Sequence, residues 1–387
     1  MYILMLVRGI PSYVHPQWGC FEYDQAQALA KLGHKVVTMS LDTRFKSKRG
    51  KFGLTRIEKN NVISYNYVTL PAKLILPLTG KEYYTKKIKH KLLATLMQKI
   101  IEKEGVPDII YSQFFVNTAF AVSIKEKLGL PIVGIEHLAR FNQPVLSKFD
   151  EELASYAFNG SDKIIAVANT LAQNIKNRFG KDCEVVHNMY GPEFGNITTF
   201  PKWEKNKPLV FITVGSLVYR KGFDMLIKAF SLAHLPLDKW ELRIVGWGEE
   251  KDNLEKLIND TGLSANIKLL GKKDKKEIVE ELSTSNVFVL PSRNENFSVA
   301  ILEGLSMGLP VLATECGGIR ECLTEKNGII VPVDDIQRMA DAIKYIMANY
   351  DNYNRNDIRN DCKNRFSPEA IAAQLTRIFE NTIKTGK

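Results

Sequence analysis

Two carboxylates, Glu295 and Glu303, stand with seven residues between them in the run PSRNENFSVAILEGLSMGLP at 291–310. The preceding NVFVL, Asn286 to Leu290, is a short apolar run closed by a proline, the pattern of a buried strand. PSRNEN reads as a polar loop. Ser298 has the side chain to cap a helix, and apolar residues follow at Val299, Ile301, Leu302 and Leu305. Met307-Gly308-Leu309-Pro310 stops that helix, and PVLA begins the next strand. Glu295 thus falls in the loop at the strand's carboxyl end. Glu303 falls in the helix, where side chains lean back toward the N-terminus and so toward the same mouth. The backbone N–H groups of Asn296 to Ala300 point there too and suit an anion. An ionised carboxylate only accepts hydrogen bonds, which suits it to vicinal hydroxyls. Hydroxyl acceptors around an anion site fit a sugar nucleotide.

Other residues with chemistry recur at similar strand ends. His137 closes the strand pattern IVGIEH, with Glu136 beside it as a further candidate carboxylate. Arg220 and Lys221 sit between the strand LVFITVG and the helix FDMLIKAFSL, where a cation and a helix N-terminus can hold a diphosphate. Gly19 lies beside the start of an early helix, where a glycine lets backbone approach phosphate. LRIVGWGEE and NIKLLGKKD supply two more strands, carrying Gly246 and Leu270 to Lys272 at their ends. The elements that position these residues are strands alternating with helices, the pattern of doubly wound parallel sheets, whose ligands sit at the carboxyl ends of the strands.

The 387 residues are enough for two or three domains. Tyr190 to Pro208, rich in Gly, Pro and Asn, reads as the linker. The domains expected are 1–195, 196–365, and a C-terminal helix, 366–387, returning to the first. No apolar run is long enough for a transmembrane helix, and the N-terminus lacks the basic residue and apolar length of a signal peptide. Five cysteines without a C-x-x-C pair read as reduced thiols of a cytoplasmic protein. The six histidines are scattered and no D-x-D occurs, so neither a metal nor another cofactor is expected. Charge is uneven: Arg44 to Lys91 holds 13 basic residues against Glu58 and Glu82, and the whole chain is at net +10. Such a patch implies an anionic partner. The basic residues are not interleaved with a recognisable nucleic-acid motif. An anionic membrane surface, met from the cytoplasmic side, is the expectation, with an acidic acceptor or a plain solvated lysine face as the alternatives.

The run from Ser285 to Cys322 resembles the E-x7-E region of retaining GT-B glycosyltransferases of family 4 (glycosyl transferases group 1). Gly317, Gly318 and Glu321 match that family's later GG-x-x-E, and Lys221-Gly222 matches its Lys-Gly. Gly19 matches one glycine of its N-terminal loop, and His137 its functional histidine. The chain departs from the pattern at Cys20, where a second glycine is usual, at Ser216 in place of an arginine, and at Asn188-Met189 in place of Asn-Gly. The resemblance is dense from 208 onward and sparse before it.

The resemblance implies an α/β protein of GT-B fold, two facing Rossmann-like doubly wound domains with an interdomain cleft. It implies hexosyl transfer, with retained configuration, from a nucleotide-diphosphate sugar to a hydroxyl of a glycan or lipid-linked glycan. Glu295 is then expected at the donor sugar, with Lys221 and His137 sharing the catalytic role, and Glu303 at the ribose. Further donor contacts are expected from Gly19, Ser216, Arg220, Gly246, Leu270, Gly271, Lys272, Asn296, Phe297 and Ser298. A sugar-nucleotide epimerase and a non-catalytic sugar- or nucleic-acid-binding protein are the alternatives.

Overall fold

The computed structural model describes residues 1–11, 18–42, 52–69, 81–197 and 203–385, with 81–89 described as helix backbone alone. Most of the basic window, 43–51 and 70–80 with the side chains of 81–89, lies outside the described residues. Residues Met1–Val167, Ala172–Val186 and Ile371–Lys387 cluster as one compact unit, and Ala168–Leu171 with His187–Ala370 as a second.

The first unit is built on an eight-stranded sheet. Its strands are β1 Tyr2–Leu6, β2 Lys35–Asp42, β3 Gly53–Lys59, β4 Val62–Val68, β5 Ile109–Gln113, β6 Ile132–Glu136, β7 Lys163–Ala166 and β8 Glu184–Val185, in the order β3-β4-β2-β1-β5-β6-β7-β8. Every pairing is parallel except the β3–β4 hairpin. All five residues of β1, β5 and β6 are buried, as expected of central strands covered by helices on both faces. The helix Lys81–Glu104 buries Leu96, Met97 and Ile100 against this sheet's core, the apolar spacing that its sequence shows. The hairpin falls within the basic window; Asn60 and Asn61, at φ 54° and 61°, make the two-residue turn.

The second unit holds six parallel strands: β9 Leu209–Val214, β10 Trp240–Val245, β11 Ile267–Gly271, β12 Val287–Leu290, β13 Val311–Thr314 and β14 Gly328–Val331. Their order is β11-β10-β9-β12-β13-β14. Counted from β9 this is 3-2-1-4-5-6, the dinucleotide-binding order. At its centre Phe211 meets Phe230 edge-on, with ring centroids 5.1 Å apart, and Phe230 stacks on Trp240 at 4.6 Å. Residues 187–195, assigned by sequence to the first domain, belong to the second unit. Met189, Tyr190 and Phe194 are buried, and the Tyr190 N–H donates to the Phe366 carbonyl. Apolar side chains outweigh the Gly- and Pro-rich composition there. The helix Pro368–Thr385 joins the first unit from Ile371 onward.

Candidate active site

In a doubly wound sheet the crevice for a ligand opens where the strand order reverses. In the second unit this is between β9 and β12. The turn after β9 carries Gly215 to Lys221, and the loop after β12 carries Pro291 to Ser298. The ends of β10 and β11 lie on the same edge, where the Gly246 N–H donates to the Gly271 carbonyl at 2.9 Å. Ser216, Arg220, Lys221, Gly246, Leu270, Gly271, Lys272 and Asn296 to Ser298 therefore gather at one end of one sheet.

Backbone conformation brings the two central loops into contact. Gly222 sits at φ 68°, and a Cβ there would fall 1.9 Å from the Pro291 carbonyl oxygen. Only glycine meets both demands, which gives the Lys221-Gly222 pair its physical reason. Gly317 does the same from the other side. At φ 58°, its Cβ would lie 2.2 Å from the Glu295 carbonyl oxygen, and the neighbouring Gly318 N–H donates to the Asn296 carbonyl. The loop that holds Glu295 is thus pressed between two glycine turns.

Within that frame the Lys221 ammonium donates a short hydrogen bond to Glu295 Oε1. Both side chains are nearly buried, and the Ser292 hydroxyl donates to the same oxygen at 3.0 Å. Arg220 Nη1 lies 3.7 Å from it and is half exposed. Burial, with the Glu295 charge as the next cause, pushes the neighbouring Cys316 thiol up to about 11, so it stays protonated at neutral pH. Ser298 occupies the N-cap of the helix Val299–Ser306, but its hydroxyl makes no capping bond, contrary to the sequence expectation. Glu303 lies in the second turn of that helix, half-buried. Ser216 is exposed at the mouth.

The chain path at Asn188 is fixed by its side chain, whose amide donates to the Phe297 carbonyl at 2.8 Å. The His187 ring stacks on Phe297 at 4.4 Å. Glu321, matched by sequence to the GG-x-x-E, accepts hydrogen bonds from the backbone N–H and side-chain amide of Asn169. It also lies 3.7 Å from His187 Nε2.

The first unit repeats the design at its own switch point, between β1 and β5. Gly19 is the N-cap of the helix Cys20–Lys31, at φ 70°. Its neighbour Arg8 pairs with the fully buried Glu22, whose carboxyl burial pushes up while Arg8 opposes. The Arg8 guanidinium lies 4.1 Å from the Phe114 ring centroid. Phe114 itself sits at φ 67°, a strained setting for a bulky residue that costs about 1–3 kcal/mol. His137, half-buried after β6, packs against Phe114 and Phe21, and its Nε2 shares a 2.9 Å hydrogen bond with Gln113 Oε1. Glu136 is buried, and its oxygens accept the backbone N–H groups of Phe115, His137 and Leu138. Both oxygens are engaged by backbone, so Glu136 shapes the His137 turn from beneath. The sequence does not single out Arg8, Glu22 or Phe114. A charged residue directly after a buried strand is the only signal for Arg8, and nothing local marks the φ of Phe114.

Among the described residues no cluster of three His, Cys, Asp or Glu side chains gathers as a metal site, and no helix is long and apolar enough to cross a membrane.

The family model for glycosyl transferases group 1 matches residues 196–365, and that for glycosyltransferase family 4 matches residues 23–194. An uncharacterized glycosyltransferase of Methanocaldococcus jannaschii is 28% identical over 263 residues, 65% of this chain and 68% of that protein. A lipopolysaccharide core biosynthesis glycosyltransferase of Rhizobium meliloti is 30% identical over 197 residues, 49% of this chain and 55% of that protein. The crystal structure of HepE from Anabaena in complex with UDP superposes with a TM-score of 0.73 at 17% identity, covering 98% of this chain and 100% of that one. The chain belongs to the GT-B glycosyltransferases of the family 4, group 1 type, and is a glycosyltransferase built from two Rossmann-like α/β domains.

Proposed function

We propose that the protein transfers a hexosyl group from a UDP- or GDP-sugar to a hydroxyl of a glycan or lipid-linked glycan, with retained anomeric configuration. The observation that carries this is the Lys221–Glu295 pair at the β9–β12 switch point, a cation for phosphate beside an acceptor for sugar hydroxyls. An ammonium has three N–H donors, so Lys221 can keep Glu295 and still meet a diphosphate oxygen. Arg220 and the N-termini of the helices Phe223–Ala233 and Val299–Ser306 add positive potential at the same mouth. That potential offsets the charge of the departing diphosphate, so the reaction is proposed to need no metal. In this reading the C1–O bond to the diphosphate breaks while the acceptor oxygen bonds C1 from the same face. The acceptor's proton passes to the leaving phosphate oxygen. Glu295 and His137 position and stabilise, and no covalent enzyme intermediate forms. Leu270 to Lys272 meet the base and Glu303 the ribose.

A role in cell-surface polysaccharide biosynthesis is supported by the Rhizobium meliloti relative, which is named for lipopolysaccharide core biosynthesis. The basic composition of 44–91 supports docking on the anionic inner membrane face. The test is transfer from a panel of sugar nucleotides to glycan acceptors, with product configuration read from the anomeric NMR coupling. Retained configuration is the expected result. Inversion would contradict the mechanism, and conversion of the sugar nucleotide without any acceptor would favour an epimerase.

A further inference from the structure

Arg293 stands in the loop that carries Glu295, and it reaches the backbone of the turn that carries Lys221. Its side chain is 13% exposed and is fully engaged. Nη1 donates to the Tyr219 carbonyl and to Asp224 Oδ1, both at 2.7 Å, and Nη2 to Asp224 Oδ2 at 2.9 Å. Nε donates to Asp334 Oδ1 at 2.7 Å, and the guanidinium carbon lies 4.0 Å from the Tyr219 ring centroid. The Arg293 backbone N–H donates to the Arg220 carbonyl at 2.8 Å. Tyr219, Arg220 and Asp224 flank Lys221; Arg293 itself stands two residues before Glu295. One guanidinium therefore bolts the turn that carries Lys221 to the loop that carries Glu295.

We propose that Arg293 is a positioning residue that sets the separation of Lys221 and Glu295 for sugar transfer. The proposal rests on the reading of those two residues given above. A planar fork making two parallel bonds to Asp224 fixes direction as well as distance, which a lysine's single ammonium does not. The Gly222–Pro291 contact brings the two loops close, but it is a backbone touch with no directional bond. Arg293 supplies the direction. Ground-state binding of a diphosphate tolerates a small displacement of Lys221, because its stem is flexible. The transition state, in which the sugar must lie correctly against Glu295 as the phosphate leaves, does not.

Arg293→Lys separates these roles. We expect kcat to fall at least tenfold while the Kd for free nucleoside diphosphate changes less than threefold. Hydrogen–deuterium exchange should rise together at 219–222 and 293–296 and stay unchanged elsewhere in the second unit. Asp224→Asn, which leaves the arginine and its bonds to Tyr219 and Asp334, should show the same pattern more weakly, and it replaces Arg293→Lys should that variant not fold. Equal losses in kcat and diphosphate affinity would mean general loosening and would overturn the proposal, as would unchanged kcat. If the unaltered protein transfers no sugar, the glycosyl-transfer reading fails. The exchange data then decide the clamp alone, since independent behaviour of the two segments would refute it.

Discussion

Lys221 donates its ammonium hydrogen bond to Glu295 across the point where the strand order of the second sheet reverses, joining residues 74 positions apart. The pair is nearly buried, so each charge depends on the other for its solvation. A ligand that brings its own negative charge to Lys221 and its own hydroxyls to Glu295 fits this arrangement without stranding either.

The two glutamates are expected to separate kinetically. Glu295→Gln should lower kcat, by roughly 10²–10³, because the charge of the sugar changes during transfer. Glu303→Gln should mainly raise the donor KM, by about tenfold, since a ribose contact is the same in ground and transition states. Steady-state kinetics checks both, and the reverse pattern would exchange their roles.

Glu136 makes a prediction about stability. Burial raises its carboxyl to about 7, against the pull of three backbone N–H groups. The folded protein thus holds a proton there that the unfolded chain releases above its ordinary value. That contribution is fully present at low pH and is lost as pH rises through about 7. The shift amounts to about 3 kcal/mol. Between pH 5 and 7.5, Glu136→Gln should flatten the fall of Tm with pH, and an unchanged slope would show that Glu136 titrates normally.

Much of this was legible beforehand. The β9 and β12 loops declare themselves because buried apolar runs end abruptly in Gly215-Ser216 and in Pro291-Ser292, and parallel strands place such ends on one edge. The β3–β4 hairpin is far less legible: LTRIEK carries no strict alternation, and the two-residue turn at Asn60-Asn61 is set by antiparallel pairing within a basic stretch. Arg293 was not legible. Its partners Tyr219, Asp224 and Asp334 are brought together only by tertiary structure, and in sequence it is one more polar residue of a loop. The same holds for Glu321, whose hydrogen bonds to Asn169 span 152 positions.

Transfer is expected to survive EDTA at full rate, since in the proposed site Lys221 and Arg220 take the place of a metal beside the diphosphate. Loss of activity on chelation, restored by Mg²⁺ or Mn²⁺, would show that the phosphate site is incomplete without a metal.

Membrane docking is tested by flotation with liposomes. Each Lys or Arg at an anionic surface contributes roughly 1 kcal/mol. Replacing Lys86, Lys87, Lys89 and Lys91 with Gln should cut binding at least tenfold and leave donor affinity unchanged. Binding should rise with anionic lipid and fall with salt. Equal recovery on neutral and anionic liposomes would refute a lipid role for the basic window.

The central claim is that a sugar nucleotide binds at the β9–β12 mouth through Lys221. The direct measurement is a thermal-shift and calorimetric panel of UDP-, GDP- and ADP-sugars on the unaltered protein and on Lys221→Ala, each against its own ligand-free midpoint. One nucleotide class should stabilise the unaltered protein, by about 2.7 kcal/mol at a hundredfold excess over Kd. The variant should bind that sugar nucleotide and the free diphosphate more weakly together, by about 2 kcal/mol. Binding of no sugar nucleotide, or equal affinity in both proteins, would contradict the account.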